Sequence, residues 1–357
     1  MTKRGDSLVK RIAFAVPGDL ATPTGGYGYD RRIIAELRNL GWQVDVLSLG
    51  DGFPRANAEQ RAIALSRLEA LPKGLPVVVD GLALGALPEE AVKIARRSPL
   101  VALVHHPLAL ETGLSPADAQ KLFESERTAL EAARAVIVTS PSTGERLSAD
   151  YDVPPESISV APPGTDRAAP AKGSNDGTLR LLSVGAVVPR KGFDILIAAL
   201  APIAELKWRL TIAGDLTRDS ATAAKLVADI VQHRLAGRVE LLGAVAPERL
   251  PALYSSADIF VLASHFEGYG MAYAEAMAHG LPIIGTTGGA TLNTVPPNAG
   301  VLVDPGNVKA LTRALQMLIE NEKERRWFAS GALEAAAELP TWQGTAKIVA
   351  AVLEGLA

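Results

Sequence analysis

Short runs of Val, Ile and Leu alternate along the chain with longer stretches in which apolar residues recur every three or four positions, and the alternation is met twice. An unbroken apolar run of four to six residues suits a strand buried on both faces, and a helical period between such runs suits a crossover helix. The pattern therefore predicts βαβ units and parallel sheets. In the first half, strands are expected at Arg11–Val16, Gln43–Leu49, Val77–Val79, Val101–Val104, Ala135–Thr139 and Ser157–Val160, with a helix over Asp30–Leu40 that Gly41 stops. The run Pro162–Thr178 is dense in Pro, Gly, Ala and small polar residues and has no apolar period, as expected of a linker. The pattern then restarts, with strands at Leu179–Val184, Arg209–Ala213, Val239–Leu242, Ile259–Leu262 and Pro282–Gly285. Helices are expected at Phe193–Ala201, Ala221–Gln232, Pro247–Ser255, Gly270–His279 and from Val308 onward.

Length agrees with two units, because 357 residues exceed what one core usually serves. Composition narrows the function mainly by exclusion. A net charge of -3 offers no general attraction for nucleic acid. The N-terminus is basic at Lys3, Arg4, Lys10 and Arg11, but the apolar run Ile12–Val16 is too short for a signal peptide, and no stretch is long enough to span a bilayer. The expectation is a cytoplasmic protein, with peripheral contact at the inner face of a membrane left open. The chain has no cysteine, which removes disulfides, thiolate nucleophiles and cysteine-bound metals. Its five histidines show no HExxH spacing, and the adjacent His105 and His106 would face opposite sides of a strand, so no metal and no cofactor are expected.

Three segments offer chemistry. After the first strand, Gly25, Gly26 and Gly28 precede a helix, where glycines let backbone amides approach a phosphate at the positive helix end; a tight connection explains them equally well. In the second half, Val184 and Gly185 lead through Arg190, Lys191 and Gly192 into a helix. Two cations there could hold a diphosphate, or form a solvated basic turn. The third segment carries Glu267, Gly268, Tyr269, Gly270 and Met271 and, on the following helix, Glu275. The setting of Glu275 among Ala272, Ala274, Ala276, Met277 and Ala278 makes a lone carboxylate costly unless it is hydrogen-bonded. Vicinal hydroxyls of a sugar or ribose would satisfy it, as would an arginine. Gly288 and Gly289 then form a second loop fit for phosphate oxygens.

The string HFEGYGMAYAEAMAHGLPIIGTTGGA, with YSSADIFVLAS and VGAVVPRKGFDILIAAL before it, resembles the donor half of glycosyltransferase family 4, retaining enzymes of the GT-B fold. In the first half the GGYG loop, VHHP and the closing PPGTD extend the likeness. It implies an α/β architecture of two Rossmann-like, doubly wound parallel-sheet domains facing across a cleft. Residues 1–165 would form an acceptor-side domain, 166–178 a linker and 179–337 the nucleotide-sugar domain, with a last helix within 338–357 crossing back to the first. The activity implied is transfer of a sugar from a UDP- or GDP-sugar to a glycan, lipid or small-molecule acceptor.

Position by position, the resemblance implies that Glu275 holds the donor ribose, that Glu267 and His105 touch the transferred sugar, and that Lys191 neutralises the leaving diphosphate. Gly26 would let the first-domain loop close over that diphosphate. Two departures stand out. Ala186 replaces an arginine that the family often carries after Gly185, which makes Arg190 the candidate second cation, and Asn293 stands where an acid is frequent. His106 and Glu111 fall on the acceptor side, and a register error of one residue would exchange His105 with His106. Asp150, Tyr151 and Asp152 spell a DxD that reads as a surface connection, and His265 and His279 read as packing or surface residues. Sugar-nucleotide 2-epimerase, glycan phosphorylase and an inactive nucleotide-sugar-binding scaffold are the alternatives. Oligomeric state is not legible.

Overall fold

The computed structural model describes residues 10–174 and 176–356, so Lys3 and Arg4 lie outside the described residues. Two six-stranded sheets are formed, and every pairing between their strands is parallel. The first contains β1 (Arg11–Val16), β2 (Gln43–Ser48), β3 (Val77–Asp80), β4 (Leu100–Val104), β5 (Ala135–Val138) and β6 (Ile158–Val160), in the order β2-β1-β3-β4-β5-β6. The second contains β7 (Leu179–Val184), β8 (Trp208–Ala213), β9 (Val239–Gly243), β10 (Ile259–Val261), β11 (Ile283–Thr286) and β12 (Gly300–Val303), in the order β12-β11-β10-β7-β8-β9. In β3, β4, β5, β10 and β11 every residue is buried, because helices cover both faces; that is why these strands are unbroken apolar runs.

Each order has a switch point, where successive crossovers leave in opposite directions and ligands settle beyond the carboxyl ends of the strands. In the first sheet it lies between β1 and β3, and in the second between β7 and β10. At the carboxyl ends of those four strands lie Gly25 and Gly26 of the following helix, Asp80 at the end of β3, and the loop residues Gly185 to Lys191 and Glu267 to Gly270.

The last helix, Trp342–Glu354, crosses back as expected. Trp342, Ala346, Val349, Ala350 and Leu353 share a core with Ile12, Phe14, Tyr29 and Ile33 of the first domain. Tyr29 sits edge-on to Trp342, Arg32 lies over the indole, and Lys10 pairs with Glu354 at 2.6 Å. Among the described residues the connecting segment has no regular structure and is stitched down at several points. Arg32 holds Asp166 through two hydrogen bonds, Arg167 donates to the carbonyls of Ala336 and Ala337, and the amides of Ala171 and Lys172 donate to the His279 and Ser255 carbonyls.

Candidate active site

The helix following β1 spans Gly25–Asn39 and so starts five residues before the expected Asp30. Glycine is a poor helix former, but Thr24 caps the end by accepting from the Tyr27 amide, and Gly25, Gly26 and Gly28 form the first turn rather than a loop. Gly26 carries no side chain because the His105 ring fills the space: a Cβ there would lie 3.3 Å from its Cδ2. In the second domain the helix Met271–Ala278 starts from Gly270, whose φ of 93° is in the left-handed region. These two helix N-termini, one from each domain, meet across the cleft where Gly25 approaches the Met271 sulfur, and Met271 packs against the first-domain core. The amide-rich ends of two helices thus lie close together across the cleft, and helix N-termini are suited to a diphosphate.

Lys191 lies on the short turn Pro189–Lys191 and is fixed there by two glycines. A Cβ on Gly185 would press against the Lys191 stem, and one on Gly192 would collide with the Ala263 carbonyl. The Lys191 ammonium donates to Glu267 at 2.6 Å, and the Ser264 hydroxyl donates to the same carboxylate oxygen at 2.5 Å. Burial would raise the Glu267 carboxyl, but Lys191, Arg190 and Ser264 outweigh it and hold it below the usual range. Burial also pulls the Lys191 ammonium below the ordinary lysine range, against the attraction of Glu267. Arg190 is placed differently from its neighbour. Its guanidinium donates to the Phe266 carbonyl at 2.7 Å, lies 3.7 Å from Glu267 and reaches across the cleft to Glu111 at 3.3 Å, so it joins the domains.

Gly288 and Gly289 pack the second loop against Glu267. The Glu267 carbonyl accepts from the Ala290 amide, and side chains on the two glycines would collide with the His265 and Glu267 carbonyls. Gly268 likewise lies directly on the His105 carbonyl of the other domain. Glu275 is half-buried. One of its oxygens accepts from the Tyr254 hydroxyl at 2.7 Å, and burial pushes its carboxyl up. Tyr269 is buried, and its carbonyl accepts from the Thr294 hydroxyl at 2.5 Å, which holds the glycine-rich turn.

The histidine pair divides between two environments. His105 turns into the first domain, where its Nε2 lies 3.4 Å from Asp30 and 3.3 Å from Asp80. His106 turns to Glu111, at 3.5 Å, and to the Phe266 ring. Burial opposes the Glu111 charge, but His106 and Arg190 outweigh it and hold the carboxyl down at about 2. The loop between them is pinned from below by buried Glu126, which accepts from the Leu108 amide.

Asp30 and Asp80 are not marked by the sequence, since 50 positions separate Asp30 from Asp80 and 25 separate Asp80 from His105, and no motif links them. The one available signal is that each follows apolar or aromatic residues at the carboxyl end of β3 or in the first turns of the helix after β1. Donor atoms of Asp30, Asp80 and His105 lie within 4.8 Å of one another, the one such group of three among the described residues. The metal-free expectation, drawn from spacing, did not foresee that cluster. Arg218, exposed on the loop after β8, was also missed; its charge reaches Tyr27 across the cleft. So was the Ser142 hydroxyl, which donates to Asn293 between the domains. The DxD lookalike is at the surface, with Asp150 paired to Arg146 and Asp152 to Arg127. His279 stacks on Tyr254 and bonds the Ala169 carbonyl, a packing role.

Two doubly wound domains whose switch-point loops meet across a cleft, each with a helix N-terminus at the contact, define a GT-B glycosyltransferase architecture. The sequence matches the family model "Glycosyltransferase Family 4" over residues 78–169 and "Glycosyl transferases group 1" over residues 165–334. The chain belongs to glycosyltransferase family 4. It is 28% identical to the MMP alpha-(1->4)-mannosyltransferase of Mycolicibacterium hassiacum, over 85% of this chain and 76% of that one. It is 32% identical to the D-inositol 3-phosphate glycosyltransferase of Pseudarthrobacter chlorophenolicus over 61% of this chain, and spans only about half of that relative's length, 55%. The fold matches sucrose-phosphate synthase from Thermosynechococcus elongatus with a TM-score of 0.81 at 21% identity, covering 97% of this chain and 99% of that one. It matches Anabaena HepE in complex with UDP-glucose with a TM-score of 0.76 at 20% identity, covering 96% and 100%. No helix among the described residues is long and apolar enough to cross a membrane.

Proposed function

We propose that this protein is a retaining glycosyltransferase that moves a hexose from a UDP- or GDP-sugar to a glycan, lipid or small-molecule acceptor without a metal ion. The observation that carries this reading is the meeting of two helix N-termini, one from each domain, where Gly25 approaches Met271, beside a switch-point loop that holds Lys191 anchored by Glu267. Fixed positive ends of that kind stabilise a departing diphosphate at no cost of reorganisation. The names of the relatives add weight to a hexose and to a nucleotide diphosphate. Glu267 is already committed to Lys191 and Ser264, which speaks for a front-face route over a double displacement: the leaving phosphate accepts the acceptor's proton, and the protein supplies position and charge. Contacts from Glu111 to Arg190 and from His105 to Gly268 would exclude water as the domains close. A thermal-shift panel of UDP-, GDP- and ADP-sugars tests the donor, because a ligand bound only by the folded state raises its stability. Silence from every nucleotide sugar would remove the proposal.

Activity is expected to survive excess EDTA. Complete loss, restored by manganese or magnesium, would contradict the metal-free mechanism. The histidines are expected to separate cleanly. His105→Ala should lower kcat on the order of a hundredfold, as for removal of a preorganised polar contact, with nucleotide binding nearly unchanged. His106→Ala should act mainly on acceptor KM, since the ring lies beside Glu111 and Phe266. Exchange of the two phenotypes would make His106 the sugar contact.

A further inference from the structure

Asp30 has no exposed surface, and neither of its carboxylate oxygens has a hydrogen-bond partner. An acid held in that way is costly, and its neighbours Tyr29, Ile33 and Ile34 show that the helix could bury an apolar residue there. What the carboxylate faces is one ring nitrogen, the His105 Nε2. Asp80 comes to the same atom from the end of β3, with its other oxygen fixed by the Leu82 amide at 2.7 Å. The rest of the ring is enclosed in turn. Gly26 covers the Cγ and Cδ2 edge, and Tyr29 stands edge-on at 5.3 Å between centroids. The side chain nevertheless remains one-fifth exposed, at 20%, and its Nε2 is buried, so the edge left for the cleft is that of Nδ1 and Cε1.

We propose that Asp30 and Asp80 are positioning residues for sugar transfer: together they hold the Nε2 proton of His105, lock the ring, and leave its Nδ1–H as a donor toward the transferred sugar. The proposal rests on the glycosyl transfer proposed above. Among the described residues, the other charged or titratable groups beside the cluster are Tyr29 and Tyr27 of the same helix and, through Tyr27, Asp51 and Arg218. Electrostatics agrees with the geometry. Burial works against the charge on His105, but the two carboxylates outweigh it and push the ring up to about 10; burial, helped by Asp80, pushes Asp30 up to about 7. An imidazolium balanced by one or two carboxylates adds no net positive charge beside an anomeric carbon that becomes electron-poor in the transition state.

The test is a pH titration of the imidazole nitrogens by NMR, with the His105 signals assigned by their loss in His105→Gln. In the wild type both nitrogens should stay protonated above pH 8. In Asp80→Asn and Asp30→Asn the ring should lose its proton at a pH lower by more than about one unit, since an opposite charge of this proximity shifts a pKa by that much. In the same variants kcat should fall on the order of tenfold or more, with the UDP or GDP dissociation constant unchanged. A wild-type His105 that titrates below pH 7 would overturn the proposal, whether or not the variants fold. So would calorimetric binding of zinc or manganese to the wild type that Asp30→Asn abolishes, because the cluster would then hold a cation and not a proton. The titration needs no turnover, so failure of the transfer reading and failure of this one are separable.

Discussion

Lys191→Ala is expected to lower kcat by about a hundredfold or more, with a much smaller change in nucleotide-sugar affinity. One preorganised electrostatic contact to developing charge is typically worth that much, and the ammonium can act fully only as the diphosphate departs. The structure adds a complication. Lys191 is bonded to buried Glu267, and removing one partner of a buried ion pair costs about 3 to 5 kcal/mol because the other charge is left uncompensated. Arg190 at 3.7 Å and the Ser264 hydroxyl reduce that cost without cancelling it. In the wild type the Glu267 carboxyl is held below its unfolded value, so its contribution to stability is present above the unfolded pKa and lost as pH falls through the folded one. Lys191→Ala should weaken that acid-side dependence along with the melting temperature. The double variant Lys191→Ala, Glu267→Gln separates the effects, since it should recover melting temperature but not kcat. Equal turnover by wild type and Lys191→Ala would end the leaving-group role.

That coupling shows what the sequence could and could not disclose. Lys191, Glu267 and Glu275 lie within segments whose type and spacing are visible in one dimension, and the strands that precede them are short, largely apolar runs. Strand boundaries agreed within about two residues for this reason. The strand Gly300–Val303 was not foreseen, because four residues emerging from a Pro- and Asn-rich turn present no period. The apolar pattern does not mark the first-domain helices Ala58–Glu69 and Pro116–Glu131, although Asn57 and Ser115 supply their caps. The start at Gly25 was hidden by three glycines, whose low helix propensity the Thr24 cap and the contact with His105 override. Tertiary proximity was the main loss. No local pattern announces that Asp30, Asp80 and His105 share one space, or that Arg190 spends its guanidinium on Phe266 and Glu111.

Glu275→Ala is expected to weaken donor binding on the order of a hundredfold or more while catalysis by the bound fraction continues. A carboxylate that accepts from two ribose hydroxyls makes two charge-assisted hydrogen bonds, each worth about 1.5 to 3 kcal/mol, and 1.4 kcal/mol is a factor of ten in affinity. The geometry leaves room for this. Tyr254 occupies one oxygen, at 2.7 Å, and orients the group, while burial and Asp166 raise its carboxyl. A raised carboxyl that must be ionised to accept two bonds makes donor affinity fall as pH drops through its folded value, and binding of the diol should pull that value back down. Glu275→Gln should abolish the pH dependence and retain part of the affinity, because an amide carbonyl still accepts. Removing the carboxylate also strands the buried Tyr254 hydroxyl, a cost of about 1 to 3 kcal/mol to the fold. Glu275→Ala, Tyr254→Phe should restore the melting temperature and leave the affinity low. Calorimetry that finds donor binding unchanged in Glu275→Ala would remove this residue from the ribose site and leave its burial against Tyr254 as a structural feature alone.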